Sequence, residues 1–120
     1  MDDTMTIQLG GEEVTLAIPA SYALRCDMWM LSAENRQRGL AGALGAAWKM
    51  PHRPKVSYAQ CRYNPALYGG AVLDELIARG LSLTDIMSAG SKALALISVG
   101  LVTEEEVKAA EDFSEDPAED

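Results

Sequence analysis

The side chains best suited to nucleophilic catalysis are one histidine and two cysteines. His52 lies in a loop bounded by prolines, and Cys26 and Cys61 are far apart and carry no motif of a cysteine nucleophile. A catalytic thiol needs a base within hydrogen-bonding distance to accept its proton. Because nothing in the flanking sequence favours such a pair, we expect His52 to be an exposed loop residue and the protein not to be an enzyme.

Two short runs of carboxylates could serve acid–base chemistry or bind a metal ion. Asp74 and Glu75 fall within a predicted helix, and residues 104–106 are three glutamates at the start of another. Helices place such charges toward solvent or beside the positive end of the helix dipole. The two cysteines have neither a CxxC nor a zinc-type spacing. We therefore expect no catalytic residue, no metal site and no cofactor.

Glycine recurs at every third position of one stretch, at Gly39, Gly42 and Gly45. A phosphate-binding loop would need a preceding strand and a Gly-Lys-Ser/Thr sequence, and this stretch has neither. Each glycine weakens a helix by about 1 kcal/mol relative to alanine. The spacing therefore predicts either that another backbone packs closely against this helix, or that the segment is two shorter helices.

The composition is that of an ordinary globular protein. Of 120 residues, 48% are hydrophobic and 23% charged, which allows one domain with a real core. The longest apolar stretch, residues 93–102, is shorter than the roughly 20 residues that span a bilayer. The acidic N-terminus does not resemble a signal peptide. We expect a soluble intracellular protein with reduced thiols and no membrane partner.

Charge is sorted along the chain. The net charge of -8 argues against a general nucleic-acid binder, because phosphate backbones attract clustered cations. Residues 35–73 contain no carboxylate, and their cations form a predicted basic patch: Arg36, Arg38, Lys49, Arg53, Lys55 and Arg62. From residue 103 onward carboxylates dominate, ending in an acidic tail: Glu115, Asp116, Glu119 and Asp120. The separation predicts contact between the two regions, within one subunit or between subunits.

The first elements form a predicted β-hairpin over residues 5–18. Polar and apolar residues alternate on both sides of Gly10 and Gly11, a pair that favours a tight reversal. The alternation places five apolar side chains on one face: Ile7, Leu9, Val14, Leu16 and Ile18. A hairpin alone is marginal in water, so this face must cover helices or a partner.

The rest of the chain has helical spacing. Side-chain caps are predicted at Ser21, Asn64 and Ser82, and Gly80 and Gly100 follow the third and fourth helices as stops. The five predicted helices cover about residues 21–31, 33–48, 65–79, 83–99 and 104–112. The sequence thus predicts a mainly α fold, with an N-terminal hairpin followed by about five helices in one small domain. That domain spans residues 1–113, with its helical part at 20–112, and residues 114–120 form a flexible acidic tail.

One segment, residues 76–86, is similar to the opening of a helix-turn-helix domain. In such a domain the next helix must present polar side chains to base edges. Here that helix is largely apolar, and Lys92 is its only cation. A small DNA-binding regulator is therefore an alternative that the charge does not favour.

Three segments resemble the small tail assembly chaperones of long-tailed bacteriophages and prophages. They are residues 5–19, residues 68–76 and residues 103–114. The resemblance implies a short β segment followed by several helices, and a non-catalytic role during virion morphogenesis. It also implies that the protein coats the tape-measure protein or holds tail subunits apart before assembly. The expected partners are phage tail proteins or a second copy of the chain, in the host cytoplasm.

A chaperone of this kind needs adaptable apolar contacts, and we expect these protein-interface residues to provide them: Ile7, Leu9, Leu16, Met28, Trp29 and Trp48. The acidic tail would shield the basic patch until the client arrives. The main alternative is a structural part of the virion, such as a head–tail connector or a tail terminator.

Overall fold

The chain folds as a hairpin followed by helices, in the order predicted. The computed structural model describes residues 4–49, 53–61 and 64–101. Within these ranges the elements are β1 (Thr4–Leu9), β2 (Glu12–Ala17), α1 (Tyr22–Glu34), α2 (Arg36–Ala47), a 3-10 turn (Tyr58–Cys61), α3 (Pro65–Ala78) and α4 (Leu83–Ile97). The mainly α fold with an N-terminal hairpin is confirmed, with four helices in the described ranges rather than about five. The predicted fifth helix and the acidic tail lie outside the described residues.

The hairpin forms as expected from its glycine turn. Gly10 and Gly11 have φ values of +59° and +81°, a conformation that glycine adopts without strain. Strands β1 and β2 pair antiparallel, with Ile7 opposite Val14, and the apolar face of the hairpin is buried. This face packs mainly against α4 and also touches α2, so it covers helices of its own chain. The chain after α2 returns to the sheet, where the Lys49 amide donates to the Thr15 carbonyl at 3.0 Å.

Side chains cap all four helices of the described chain. The three predicted caps form, since the oxygens of Ser21, Asn64 and Ser82 each accept a backbone N–H three residues later at 3.1 Å. The fourth cap, Asn35, accepts from the Arg38 amide at 3.2 Å. Such caps are worth about 1 kcal/mol each.

Asn35 also corrects the predicted boundary between the first two helices. Its backbone is extended, with φ -144°, while its own N–H closes α1 onto the Leu31 carbonyl. The first helix therefore runs on to Glu34 rather than ending near residue 31, and α2 begins at Arg36 rather than near residue 33. Residues 32–38 are polar apart from Ala33, so apolar periodicity carried no signal for the exact position of the break.

Helix α2 lies at the centre of the fold. Its nine residues 39–47 are all buried, and α1, α3 and α4 pack around it. A helix that is enclosed on every side has no solvent-facing polar stripe, and the small apolar sequence of α2 matches that requirement.

Glycines allow the close approach of these helices. A side-chain carbon added at Gly39 would collide with the Ser32 backbone on α1, and one at Gly45 would lie 2.9 Å from Val72 on α3. The prediction of close helix packing at these glycines is confirmed. Two further glycines, on the neighbouring helices, also allow close contact with the backbone of α2. Gly69 on α3 faces the carbonyl of Arg38, and Gly90 on α4 faces that of Leu40.

The end of α4 is held against α1 by one arginine. Arg25 donates from Nε to the Ile97 carbonyl at 2.9 Å, and its terminal nitrogen donates to the Val99 carbonyl. These bonds occupy carbonyls that a helix end leaves without intrahelical partners. None of the helices in the described part of the chain combines the length and apolar character needed to cross a membrane.

Candidate protein-interaction surface

Most of the predicted interface residues belong to the core of the chain itself. Five of the six are 0–6% exposed: Ile7, Leu9, Leu16, Met28 and Trp48. They are buried because the hairpin face closes over α2 and α4, and because the inner side of α1 faces α2. These five side chains are therefore not a contact surface in this fold. Of the six, only Trp29 is exposed, at 43%.

Among the described residues, three of the six exposed large apolar side chains lie on the outer side of α1, and the others are Leu67 and Ile77 on α3 and Leu83 on α4. Tyr22 is 58% exposed and Met30 is 56% exposed, and together with Trp29 they form what we call the α1 outer face. Residues seven apart lie almost in line along a helix, so Tyr22 and Trp29 share one side. Tyr22 and Met30 are not among the six predicted interface residues. Their positions opposite the buried stripe of Leu24, Met28 and Leu31 were the available signal.

A groove runs beside this face, between α1 and the start of α3. It encloses about 250 Å³, and Met30, Leu31 and Pro65 contribute apolar lining. Asp27 and Glu34 supply two carboxylates to the same groove. The groove thus combines an apolar floor with negative charge, which suits a partner segment that carries both apolar and basic side chains.

Asp27, which lines one side of the groove, is fixed by the half-buried Tyr58, which has the buried Tyr68 behind it. The Tyr58 hydroxyl donates to the Asp27 carboxylate, and this bond, with burial and the charge of Asp27, raises the pKa of Tyr58 to about 12. The ring of Tyr58 meets that of Tyr68 edge-on, with centroids 5.9 Å apart. Burial raises the pKa of Tyr68 to about 12, although the positive charge of Arg53 opposes the rise. Asp27 is therefore held in place by the 3-10 turn that carries Tyr58.

The predicted basic patch is divided in space. Arg36 and Arg38 lie at the start of α2, whereas Lys49 and Arg53 follow its other end. At 1.5 Å per residue, the 12 residues of α2 separate the two pairs by about 18 Å. A patch that is continuous in sequence thus becomes two separate pairs of exposed cations, and Arg62 lies outside the described residues.

The remaining member of the patch, Lys55, has a carboxylate beside it. Its backbone N–H donates to both oxygens of Glu75 at 3.0 Å, and Glu75 also pairs with Arg79 at 2.6 Å. The absence of carboxylates from residues 35–73 therefore does not mean that the folded surface there lacks negative charge.

Lys49 and Arg53 border a second depression, which we call the α1–β2 cleft. It encloses about 500 Å³ between the residues after β2, the first turns of α1 and the end of α2. Its apolar lining includes Pro19, Leu24 and Trp48. Of the described residues that line it, two are cations and none is a carboxylate.

The residues considered for catalysis form no site within the described ranges. Cys26 and Cys61 are free, half-buried thiols on different elements. No group of three histidine, cysteine or carboxylate side chains is placed to hold a metal ion within residues 4–49, 53–61 and 64–101. His52 lies outside these ranges.

The helix pair considered for DNA binding has a weakly charged outer surface. Residues 79–82 join α3 to α4, and both helices pack mainly against α2 rather than against each other. On α4, Lys92 and Asp85 are exposed among small residues such as Ser88 and Ser91. One cation beside one carboxylate offers little to a phosphate backbone.

Comparison of the chain with protein-family models, with curated proteins and with solved structures finds no match.

Proposed function

We propose that this protein is a non-catalytic protein-binding domain that acts as a tail assembly chaperone of a long-tailed phage or prophage. The observation that carries the proposal is the α1 outer face, where Tyr22, Trp29 and Met30 stand exposed beside an apolar groove. Tryptophan and tyrosine are enriched among the residues that dominate binding energy in protein interfaces, and methionine adapts to irregular partners.

The groove defines the chemistry of the client segment. Its apolar residues would contact an apolar side chain of the client, while Asp27 and Glu34 would pair with lysine or arginine beside it. We therefore propose an amphipathic, basic segment of a tape-measure protein as the client. A chaperone of this kind must also stay soluble and release its client, and a net charge of -8 supports both through long-range repulsion.

The test compares binding of the tape-measure protein from the same phage genome to two variants. Trp29→Ser with Met30→Ser removes the α1 outer face, and we expect it to weaken binding by at least 30-fold, since two central contacts are worth about 2 kcal/mol or more. Leu83→Ser is the matched control, because Leu83 is also exposed, at 40%, but lies on α4. Equal binding by both variants would contradict the proposed surface.

Mass spectrometry of purified virions addresses the role in assembly. We expect the protein in infected-cell lysates but not in mature particles, because a chaperone in the host cytoplasm leaves when the tail is complete. Retention of the protein in stoichiometric amounts would instead identify a structural part of the virion, such as a head–tail connector or a tail terminator.

A further inference from the structure

The α1–β2 cleft has a composition that predicts an acidic and partly apolar occupant. Lys49 and Arg53 stand exposed at its border, and the described lining contains no carboxylate. The first turn of α1, which forms one wall, also contains no acidic residue. The accessible apolar surface of the cleft comes from the half-buried Ala17 and Pro19 and the exposed Ala20. A ligand that matches the cleft must therefore combine carboxylates with at least one apolar side chain.

The described chain ends against α1, the helix that forms one wall of this cleft. Arg25 holds the carbonyls of Ile97 and Val99, and it directly follows Leu24, whose side chain lines the cleft. Arg25 itself is occupied by these two carbonyls and is not counted as a cation of the cleft. Residue 101, the last one described, is only two residues beyond Val99.

The remaining segment, residues 102–120, has the matching chemistry. It carries nine carboxylates and a single cation, Lys108. It also contains Phe113, the only phenylalanine of the chain, which is preceded by Glu111 and Asp112 and followed shortly by Glu115. From residue 101 to Phe113 the chain reaches up to about 40 Å when extended, and about 25 Å if residues 104–112 form the predicted helix. Arg25 already joins α1 to the end of α4, so either length starts close to the helix that forms one wall of the cleft.

We propose that the α1–β2 cleft binds residues 111–116 of the same chain, with Phe113 against Pro19 and Ala20 and the flanking carboxylates beside Lys49 and Arg53. A short tether gives an effective concentration in the millimolar range, so even a weak contact fills the cleft. The contact is independent of the client proposed for the α1 outer face. The proposal also narrows the predicted contact between the acidic end and the basic patch to two residues of the patch, Lys49 and Arg53.

Carbodiimide crosslinking of the full-length protein tests this proposal, because it joins lysines to carboxylates that touch them. We expect crosslinks from Lys49 to residues 111–116 within one chain, in several-fold excess over crosslinks from Lys92. Lys92 is the matched control, since it is equally exposed but lies on α4, away from the cleft. In 0.5 M NaCl the Lys49 crosslinks should fall several-fold, because the screening length drops to about 4 Å.

The variant Phe113→Ser separates a specific contact from general attraction between charges. We expect it to reduce the Lys49 crosslinks several-fold while leaving the charge of the segment unchanged. Equal crosslinking of Lys49 and Lys92, or no effect of Phe113→Ser, would overturn the proposal. Crosslinks found only between two chains, and increasing with protein concentration, would also overturn it, because the occupant would then be the segment of a second copy. The salt comparison requires no substitution, so it remains informative even if a variant folds poorly.

Discussion

The contact between Gly90 and α2 allows a quantitative prediction about what holds the helices together. A side-chain carbon added at Gly90 would lie 2.6 Å from the carbonyl oxygen of Leu40 and 2.8 Å from its carbon. Both are backbone atoms at the centre of the core, so no side chain can rotate to make room. To restore an ordinary contact of 3.4 Å, α4 and α2 must separate by about 0.8 Å.

The magnitude follows from two opposing effects. Replacing a helical glycine by alanine stabilises a helix by about 0.5–1 kcal/mol when space allows. Overfilling a well-packed core costs about 1–3 kcal/mol, and the upper end applies because the obstruction is backbone. Gly90→Ala should therefore lower the free energy of unfolding by about 2 kcal/mol. Gly70→Ala is the matched control, since the nearest atom to its added carbon is 3.5 Å away, and it should raise stability by about 0.5–1 kcal/mol.

Urea denaturation followed by circular dichroism measures both variants. With a slope near 1.5 kcal/mol per molar urea, the midpoint of Gly90→Ala should fall by about 1.3 M, and that of Gly70→Ala should rise slightly. The slopes themselves should match the unsubstituted protein, because the surface exposed on unfolding hardly changes. If Gly90→Ala proves as stable as the unsubstituted protein, then α2 and α4 do not approach as closely as described.

Two further predictions concern polar contacts. Arg25→Ala should lower the free energy of unfolding, measured by urea denaturation, by about 1.5–3 kcal/mol, because it removes charged hydrogen bonds to two carbonyls at the end of α4. Lys92→Ala, on the exposed side of α4, should change it by less than about 0.5 kcal/mol. Equal effects of the two substitutions would refute the anchoring role of Arg25. The pKa values of Tyr58 and Tyr68 are raised to about 12 from the ordinary tyrosine value of 10.0, so the folded state disfavours ionisation. Their stabilisation is therefore complete below pH 10 and is lost as the pH rises toward 12. For the buried Tyr68 the loss amounts to at most about 3 kcal/mol, and absorbance at 295 nm should show tyrosines that ionise near pH 12. Complete ionisation near pH 10 with the fold intact would contradict this.

Local signals in the sequence were sufficient for the order of elements. Gly10 and Gly11 marked the hairpin, and Asn64 with Pro65 marked the start of α3, because a turn or a cap depends only on residues a few positions apart. The second helix was placed less well. Asn35 lies in a polar stretch, residues 32–38, where apolar spacing gives no signal, and the extended backbone of that one residue separates the two helices.

The candidate surface was predicted poorly, for a physical reason. Alternation and helical spacing show which side chains avoid water, but not whether the chain or a partner covers them. Leu16 and Trp48 could have served either purpose, and in the fold they meet each other through a bridge between the hairpin and the segment after α2. Likewise, single glycines such as Gly69 and Gly90 do not by themselves predict a close contact between helices, because the sequence does not show which helix packs against them.

The glycines around α2 also govern how this protein can diversify. At Gly39, Gly69 and Gly90 the obstacle to any larger residue is main chain, so no compensating change of a neighbouring side chain can relieve it. The packing of the helices around α2 is therefore fixed, whichever residues occupy the surface. Tyr22, Trp29 and Met30 are exposed and take no part in this packing, so substitutions there leave the fold intact. A scaffold of this type can acquire new binding preferences through surface substitutions while its helix packing stays the same.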